Sequence, residues 1–347
     1  MVGREKMINF ALKFNIMATE LEQLVGRYRA LGIDRQLDYD KFYLYSIITH
    51  STAIEGSTIT ELENQIMFDN GIALKGKSLV EQNMNLDLKA AYERTLELAR
   101  SHSDVTIPRL KELSALTMRN TGAEYHTALG DFSSANGDLR LLNVTAGVGG
   151  KSYMSFNKVP VKLEEFCKSL NSQRRKADGM TMQELYDMSF DAHFNLVTIH
   201  PWADGNGRMA RLVMNWLQFE FGLIPSRIFA DDKEEYIKAL VETRESENLD
   251  VFRNFMTQTM IRHITTDINN FMESIGEDIL AESGVKKKTE DLIIELLRSN
   301  PKHTTKTMAD AIGISDKGIE KQLAKLKSQG KIERIGPAKG GSWKVNV

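Results

Sequence analysis

A mainly α-helical body with one β-hairpin, followed by a small α+β module at the C-terminal end, is the fold class that the sequence predicts. Three observations lead to it. Apolar residues recur at helical spacing through most of the chain, and only 6 prolines in 347 residues are present to interrupt helices. One stretch, Gly137–Pro160, departs from this texture with clustered glycines and short apolar runs. Charge is also uneven: Val285–Val347 holds 14 Lys+Arg against 7 Asp+Glu, while the rest holds 31 against 40. A basic tail on an acidic body reads as a separate module facing a polyanion.

The elements follow in order. Helices are expected over Phe10–Leu31, stopping at Gly32, and over Asp40–Ile54, stopping at Glu55-Gly56. Thr58-Ile59-Thr60-Glu61 reads as a capping box opening a helix that ends near Asn70-Gly71. Helices then cover Leu79–Ser101 and Pro108–Thr121. Leu139–Thr145 and Ser152–Val159 read as two strands around the glycine turn 147–150. Helices resume at Val161–Ser172, Thr181–Ile199, Gly207–Phe221 and Asp232–Val241, with others through Ile279. The expected organisation is an N-terminal helical region over 1–105, a core region over 106–280 and the tail module over 286–347, with a break near Ala281–Lys288. Composition fits a folded chain with a sizeable core, at 41% hydrophobic and 27% charged residues. Cys167 is the single cysteine, which excludes a disulfide framework and a cysteine-based zinc site. No apolar run nears the ~18 residues that span a bilayer, and the polar start (Arg4, Glu5, Lys6) lacks a signal-peptide core. The expected setting is cytoplasmic, with no membrane partner.

Chemistry concentrates in His200-Pro201-Trp202-Ala203-Asp204-Gly205-Asn206-Gly207-Arg208-Met209-Ala210-Arg211. A long apolar helix ends at Ile199, Pro201 prevents its simple continuation, and the next helix starts near Gly207. A helix N-terminus offers unpaired N–H groups and a positive dipole end, which together favour phosphate. Gly205 and Gly207 let the backbone approach an anion. Arg208 and Arg211, three apart, share a helix face that can reach outer phosphates. Asp204 is a suitable oxygen ligand for Mg²⁺, which needs one or two carboxylates beside phosphates and water. His200 can accept a hydroxyl proton near neutrality. No Gly-Lys-Ser/Thr follows the glycines, so this is not a Walker loop.

These twelve residues resemble the signature of the Fic family, His-Pro-Phe-x-Asp/Glu-Gly-Asn-Gly-Arg-x-x-Arg, with Trp202 in place of Phe. The resemblance spans about Tyr39–Thr266 and implies a Fic-like helical core with a β-hairpin flap. It also implies transfer of AMP from ATP to a Ser, Thr or Tyr hydroxyl of a target protein. On it, His200 is the general base, Asp204 holds Mg²⁺, and Gly205, Asn206 and Gly207 form the anion hole. Arg208 assists the phosphates, and Arg211 engages the γ-phosphate. Relatives with lysine at the position of Gly207 act as kinases, so Gly207 favours adenylylation. The hairpin within 137–160 corresponds to the flap that docks the target by strand addition, with Val144 near the nucleotide. Tyr236 falls where relatives line the adenine pocket, whereas Arg244 replaces an Asn common eight residues later.

Ser51-Thr52-Ala53-Ile54-Glu55-Gly56 resembles the family's inhibitory motif, Ser/Thr-x-x-x-Glu-Gly/Asn. Ser51 and Glu55 share a helix face, and Gly56 closes it. The resemblance implies that Glu55 pairs with Arg211 and displaces the γ-phosphate. In some relatives this Glu orients a water that removes AMP instead.

In the tail, Lys288–Arg298, Thr304–Ala311 and Ser315–Ser328 read as helices, with Gly313 in a turn. Gly330–Gly336 and Gly341–Val345 read as a two-stranded wing. The tail is similar to a winged-helix domain, which implies a DNA or protein partner. Lys317, Lys321 and Lys325 at i, i+4, i+8 suit phosphate contacts. The rival reading is a DNA-binding regulator whose Fic-like core senses nucleotide. A homo-oligomer is compatible with either.

Overall fold

The computed structural model describes residues 17–145, 152–282, 289–312, 315–336 and 341–346. The chain divides at Ile268/Asn269 into two compact units. The first is built of helices: α1 (described over 17–30), α2 (Tyr39–Ile54), α3 (Glu61–Asn70), α4 (Leu79–Arg100) and α5 (Ile107–Met118). A hairpin, β1 (Glu124–Thr127) and β2 (Gly130–Ser133), precedes α6 (Val159–Arg174), α7 (Met182–Ile199), α8 (Asn206–Glu220), α9 (Lys233–Ser246) and α10 (Leu249–Glu282), of which the residues up to Ile268 belong to this unit. The mainly helical expectation holds.

The organising element is α8. Every residue from Arg208 to Gln218 is buried, and α7, α4, α5 and α2 pack around it. A helix buried on all sides needs partners for most of its polar groups. Asn215 Nδ2 donates to Gln218 Oε1 and Ser226 O, and Tyr92 donates its hydroxyl to Asn215 Oδ1 at 2.7 Å. Gln218 in turn donates to Ser189 and Ser226. These bonds fix α8 about its own axis, and with it the direction of Arg208 and Arg211. On α10, Phe252, Met256, Met260, Ile264 and Ile268 recur every fourth residue and close the core from another side.

A second polar cluster fixes the end of α2. Thr52 Oγ1 donates to Asn85 Oδ1 at 2.8 Å, and Asn64 Nδ2 donates to Thr49 Oγ1 at 2.7 Å and to Asn85 Oδ1 at 2.9 Å. Asn85 Nδ2 reaches Ser57 Oγ at 3.1 Å. Three helices and the turn after Gly56 are thereby locked immediately behind Glu55.

Two expectations need correction. The capping box of α3 is Thr60 with Glu63, whose side chain and backbone groups bond reciprocally, rather than Thr58 with Glu61. The Thr-x-x-Glu pattern occurs twice, offset by two residues. Thr58 is drawn instead to Glu81, and Glu61 accepts from Ser46 and pairs with His50. The hairpin is displaced as well. The regular ladder lies at β1–β2, with Tyr125 opposite Phe132 and their rings stacked at 4.8 Å. Within 137–160 the described residues carry one antiparallel bridge, Thr145 with Ser152, plus Tyr153 N–H donating to Val144 O. The glycine turn at 147–150 lies outside the described residues. The expected second strand runs directly into helix: Phe156–Lys158 is a 3₁₀ turn, and Pro160 sits in the first turn of α6, where its missing N–H is tolerated.

The second unit contains α11 (Thr289–Ser299), α12 (Thr305–Ile312), α13 (Asp316–Ser328) and the antiparallel pair β3 (Ile332–Ile335) and β4 (Ser342–Val345). Its own core gathers Ile293, Leu297, Met308, Ile319, Leu326 and Ile332, among others. Helix and strand order is as expected; Gly313 lies outside the described residues. Lys317 and Lys321 are exposed, whereas Lys325 pairs with Glu290 of α11. No helix among the described residues is long and apolar enough to cross a membrane.

Candidate active site

The site forms where α7 hands over to α8. Helix α7 opens on a Thr181/Glu184 capping box and ends at His200, which adopts φ 53°, ψ 62°. Left-handed backbone is uncommon for a residue with a side chain and needs support from its surroundings. His200 N–H donates to Leu196 O, ending the helix as a C-cap. The loop then folds on itself: the Asn206 side chain accepts from Trp202 N–H at 3.1 Å and donates to Trp202 O at 2.9 Å. Trp202 is fully buried, and its indole N–H bonds Gly137 O at 3.1 Å. The aromatic of the motif is thus the anchor of the loop. The Asn206 side chain is engaged in closing it, which leaves the backbone N–H groups of the α8 N-terminus for an anion.

Gly205 is the N-cap of α8 at φ 78°, where a Cβ would meet Met118 Sδ at 2.7 Å. At Gly207 a Cβ would lie 3.0 Å from Glu55 Oε1 and 3.1 Å from Arg211 Nη1. The absence of a side chain there lets the Glu55–Arg211 pair settle onto the start of the helix.

That pair is tight. Arg211 Nη2 lies 2.6 Å from Glu55 Oε1, Nε donates to Ser51 Oγ at 2.8 Å, and Nη2 also donates to Ser51 O at 3.0 Å. Arg211 is 3% exposed. Burial alone would raise the Glu55 carboxyl; the adjacent Arg211, with Arg208 and Lys233, outweighs it and holds Glu55 below the usual carboxylate range. Tyr236 engages His193 Nε2 at 2.9 Å through its hydroxyl. Buried His193 is pushed down to about 3 by desolvation, then by Arg211, so it stays neutral. Tyr236 therefore borders the cleft with its hydroxyl engaged by His193.

Arg208 is 3% exposed, yet its Nε and Nη1 have no partner among the described residues. Its Nη2 contacts Met118 Sδ at 3.0 Å and lies 3.9 Å from Asp204. A buried guanidinium with free donors is costly unless an anion completes it. Asp204, with a 62% exposed side chain, accepts Gly205 N–H on Oδ1 at 2.6 Å.

His200 Nδ1 lies 3.3 Å from Val197 O. A carbonyl only accepts, so Nδ1 carries the proton and Nε2 keeps the lone pair. Burial, joined by Arg140 and Arg244, pushes the imidazole down to about 4 against the opposing pull of Val197 and Asp204. His200, Asp204, Gly205, Asn206, Gly207, Arg211, Tyr236 and Glu55 all border one cleft of about 300 Å³. Val144 is not on its wall; it pairs with Tyr153 instead.

Sequence reasoning missed Tyr153 and Arg140. The Tyr153 ring stacks on His200 at 3.7 Å and 15°, with Arg244 5.3 Å from the other partner in the stack, the Tyr153 ring itself. Neither residue belongs to the contiguous motif, and no local pattern marks them.

Residues 104–218 match the Fic/DOC family. The chain is 24% identical over 259 residues to protein adenylyltransferase fic-1 of Caenorhabditis elegans, covering 74% of this chain and 46% of that protein. It is 28% identical over 269 residues to protein adenylyltransferase Fic of Nematostella vectensis, covering 69% and 58%. The chain spans about half the length of the curated relatives it matches. A Fic-domain-containing signaling protein from Bacteroides thetaiotaomicron has a TM-score of 0.60 at 21% identity, over 72% of this chain and 95% of that one. A Fic family protein from Desulfovibrio desulfuricans has a TM-score of 0.56 at 17% identity, over 95% and 94%. These likenesses show the fold.

Proposed function

On the premise that the chain carries a Fic/DOC domain over residues 104–218, we propose that it is a protein adenylyltransferase restrained by Glu55. One observation carries the reading. The buried Arg211 is bound by a carboxylate at 2.6 Å, beside the α8 N-terminus and in the same cleft as a neutral His200. An anion-accepting arginine, an anion-accepting helix end and a base together suit transfer of a phosphoryl-linked group.

In this reading the α8 N-terminal N–H groups and Arg208 receive the inner phosphates of ATP, and Arg211, once free of Glu55, receives the γ-phosphate. The hydroxyl oxygen of a Ser, Thr or Tyr on the target attacks the α-phosphorus. Its proton passes to His200 Nε2, the bond from the α-phosphorus to the bridging oxygen breaks, and pyrophosphate leaves. Asp204 fits Mg²⁺: it is an exposed carboxylate with Oδ2 available, and no group of three acidic, His or Cys ligands gathers among the described residues. A bound ion would share its coordination with phosphate oxygens and offset their charge. The target is held along the flap segment within 137–160. The direct test incubates the protein with cell lysate, Mg²⁺ and ATP labelled at either the α- or the γ-phosphate. Protein-bound label is expected from the α-labelled nucleotide alone; label from the γ-position would make the chain a kinase instead.

For the tail we favour a nucleic-acid partner, on the exposed Lys317 and Lys321 of α13. Lys325, held by Glu290, contributes less. Lys317→Ala with Lys321→Ala in the full chain should reduce the salt slope of duplex-DNA binding by up to about 0.9 per lost phosphate contact. An unchanged slope, or no binding at low salt, assigns the tail to a protein partner.

A further inference from the structure

Arg140 is the most completely buried charge that the proposed chemistry does not use. It is 1% exposed, and among the described residues no carboxylate pairs with it. Its donors go to backbone carbonyls instead. Nε donates to His200 O at 2.7 Å, Nη1 to Leu142 O at 2.7 Å, and Nη2 to Met154 O. Its own N–H donates to Pro201 O at 3.0 Å. A desolvated guanidinium without a counter-ion is an expensive way to fill space, and its presence needs a reason other than packing.

The three carbonyls belong to three different places. Leu142 is on the ascending limb of the flap, Met154 on the descending limb, and His200 is the base itself. The bonds to Leu142 and Met154 take up carbonyls from both limbs; beyond them, among the described residues, the limbs meet through Tyr153 N–H donating to Val144 O and the bridge of Thr145 with Ser152. Met154 also follows Tyr153, whose ring covers the His200 imidazole at 3.7 Å. Arg140 thus grips the backbone of His200 and the segment that carries the ring lying on it. His200 needs such a grip, because its left-handed backbone at φ 53° relaxes elsewhere unless its neighbours over-determine it.

We propose that Arg140 is a positioning residue that couples the flap to the base: it joins both limbs to the His200 carbonyl, so that the placement of Tyr153 and of Nε2 changes together. The coupling to transfer rests on the adenylyltransferase reading; the tether itself does not. A target docked on the flap then acts on the base through one side chain, and an empty or displaced flap leaves the base less well aimed. Misplacing a reacting group by about 1 Å costs about a hundredfold in rate, so the effect falls on transfer and spares nucleotide binding, whose contacts lie on α8.

Two readouts decide it. The first is the NMR position of the His200 Cε1–H, assigned by its loss in His200→Ala and calibrated with Tyr153→Leu, which removes the stacked ring. Arg140→Met should move the signal toward the Tyr153→Leu position, and Arg140→Lys, which keeps one donor group, should fall between. The second is single-turnover AMP transfer in a Glu55→Gly background, alongside ATP affinity. Arg140→Met should slow transfer ten- to a hundredfold with ATP affinity changed less than about threefold, and Arg140→Lys should recover part of the rate. If Arg140→Met does not fold, the Lys variant carries both readouts. An unmoved histidine signal overturns the tether, as does a fall in ATP affinity that parallels the rate. If Glu55→Gly is itself inactive, the adenylyltransferase reading fails while the histidine signal still decides the tether.

Discussion

On the proposed reading, Glu55→Gly should raise single-turnover AMP transfer by about ten- to a hundredfold. A charge-assisted hydrogen bond contributes about 1.5–3 kcal/mol, and each 1.4 kcal/mol is a factor of ten in the population of the competent pose. The carboxylate sits 2.6 Å from Arg211 Nη2, so a γ-phosphate placed there would have to compete with Glu55 for the same donor. Arg211 keeps its bonds to Ser51 Oγ and Ser51 O when Glu55 is removed, which leaves it aimed rather than loose. ATP affinity therefore changes much less than rate. Arg211→Ala in the same background should cancel the gain. Removal of the carboxylate also strands a buried cation, so Glu55→Gly should melt lower than wild type without nucleotide and recover when ATP is added. A wild type as fast as Glu55→Gly removes the brake. A variant slower than wild type points to Glu55 orienting water for AMP removal.

On the same reading, His200→Ala should lose transfer by roughly a hundred- to ten-thousandfold while ATP still binds, because the proposed base goes and the α8 N-terminus stays. Measured in the Glu55→Gly background, wild-type-like labelling by this variant would take His200 out of the reaction. The pH dependence is a second check. The base works neutral, and burial pushes His200 down to about 4. Activity should therefore hold from pH 8 to about 5 and fall below that. An ordinary histidine would lose it near 6.5. The stability sign follows from the same shift. The unfolded chain takes up this proton at about 6.5 and the folded one at about 4, so stability falls as pH drops through that window.

The handover from α7 to α8 is legible because its information is local: Pro201 stops one helix, Gly205 and Gly207 mark the start of the next to within a residue, and the charged residues lie within a few positions of both. Glu55 is a helix-end acid one turn after Ser51, and it is singled out only by the resemblance of that short pattern to the family's inhibitory motif. Arg140 is not legible. Its partners are carbonyls, which every residue has, and one of them is 60 positions away. Tyr236 was placed at the cleft, but its bond to His193 crosses between helices and leaves no periodic trace. The flap misled for a physical reason. Short apolar runs around glycines describe a chain reversal, and they do not say whether carbonyls will pair with a strand or with a guanidinium. At α3 the same capping signature fitted two registers, and distant contacts to Glu81 and Ser46 chose between them.

The buried amide and hydroxyl cluster behind α2 sets how the restraint can be lifted. Swinging the helix away would strand Thr49, Thr52, Asn64 and Asn85 together, since each is another's partner. At about 1–3 kcal/mol for each orphaned group, such an open form would hold fewer than about one molecule in a thousand. Rotating the Glu55 side chain breaks none of those bonds. On the proposed reading, Glu55 is thus a latch mounted on a rigid post: signals that reach the carboxylate itself can turn it cheaply, and signals that pull on the helix meet the whole of the fold.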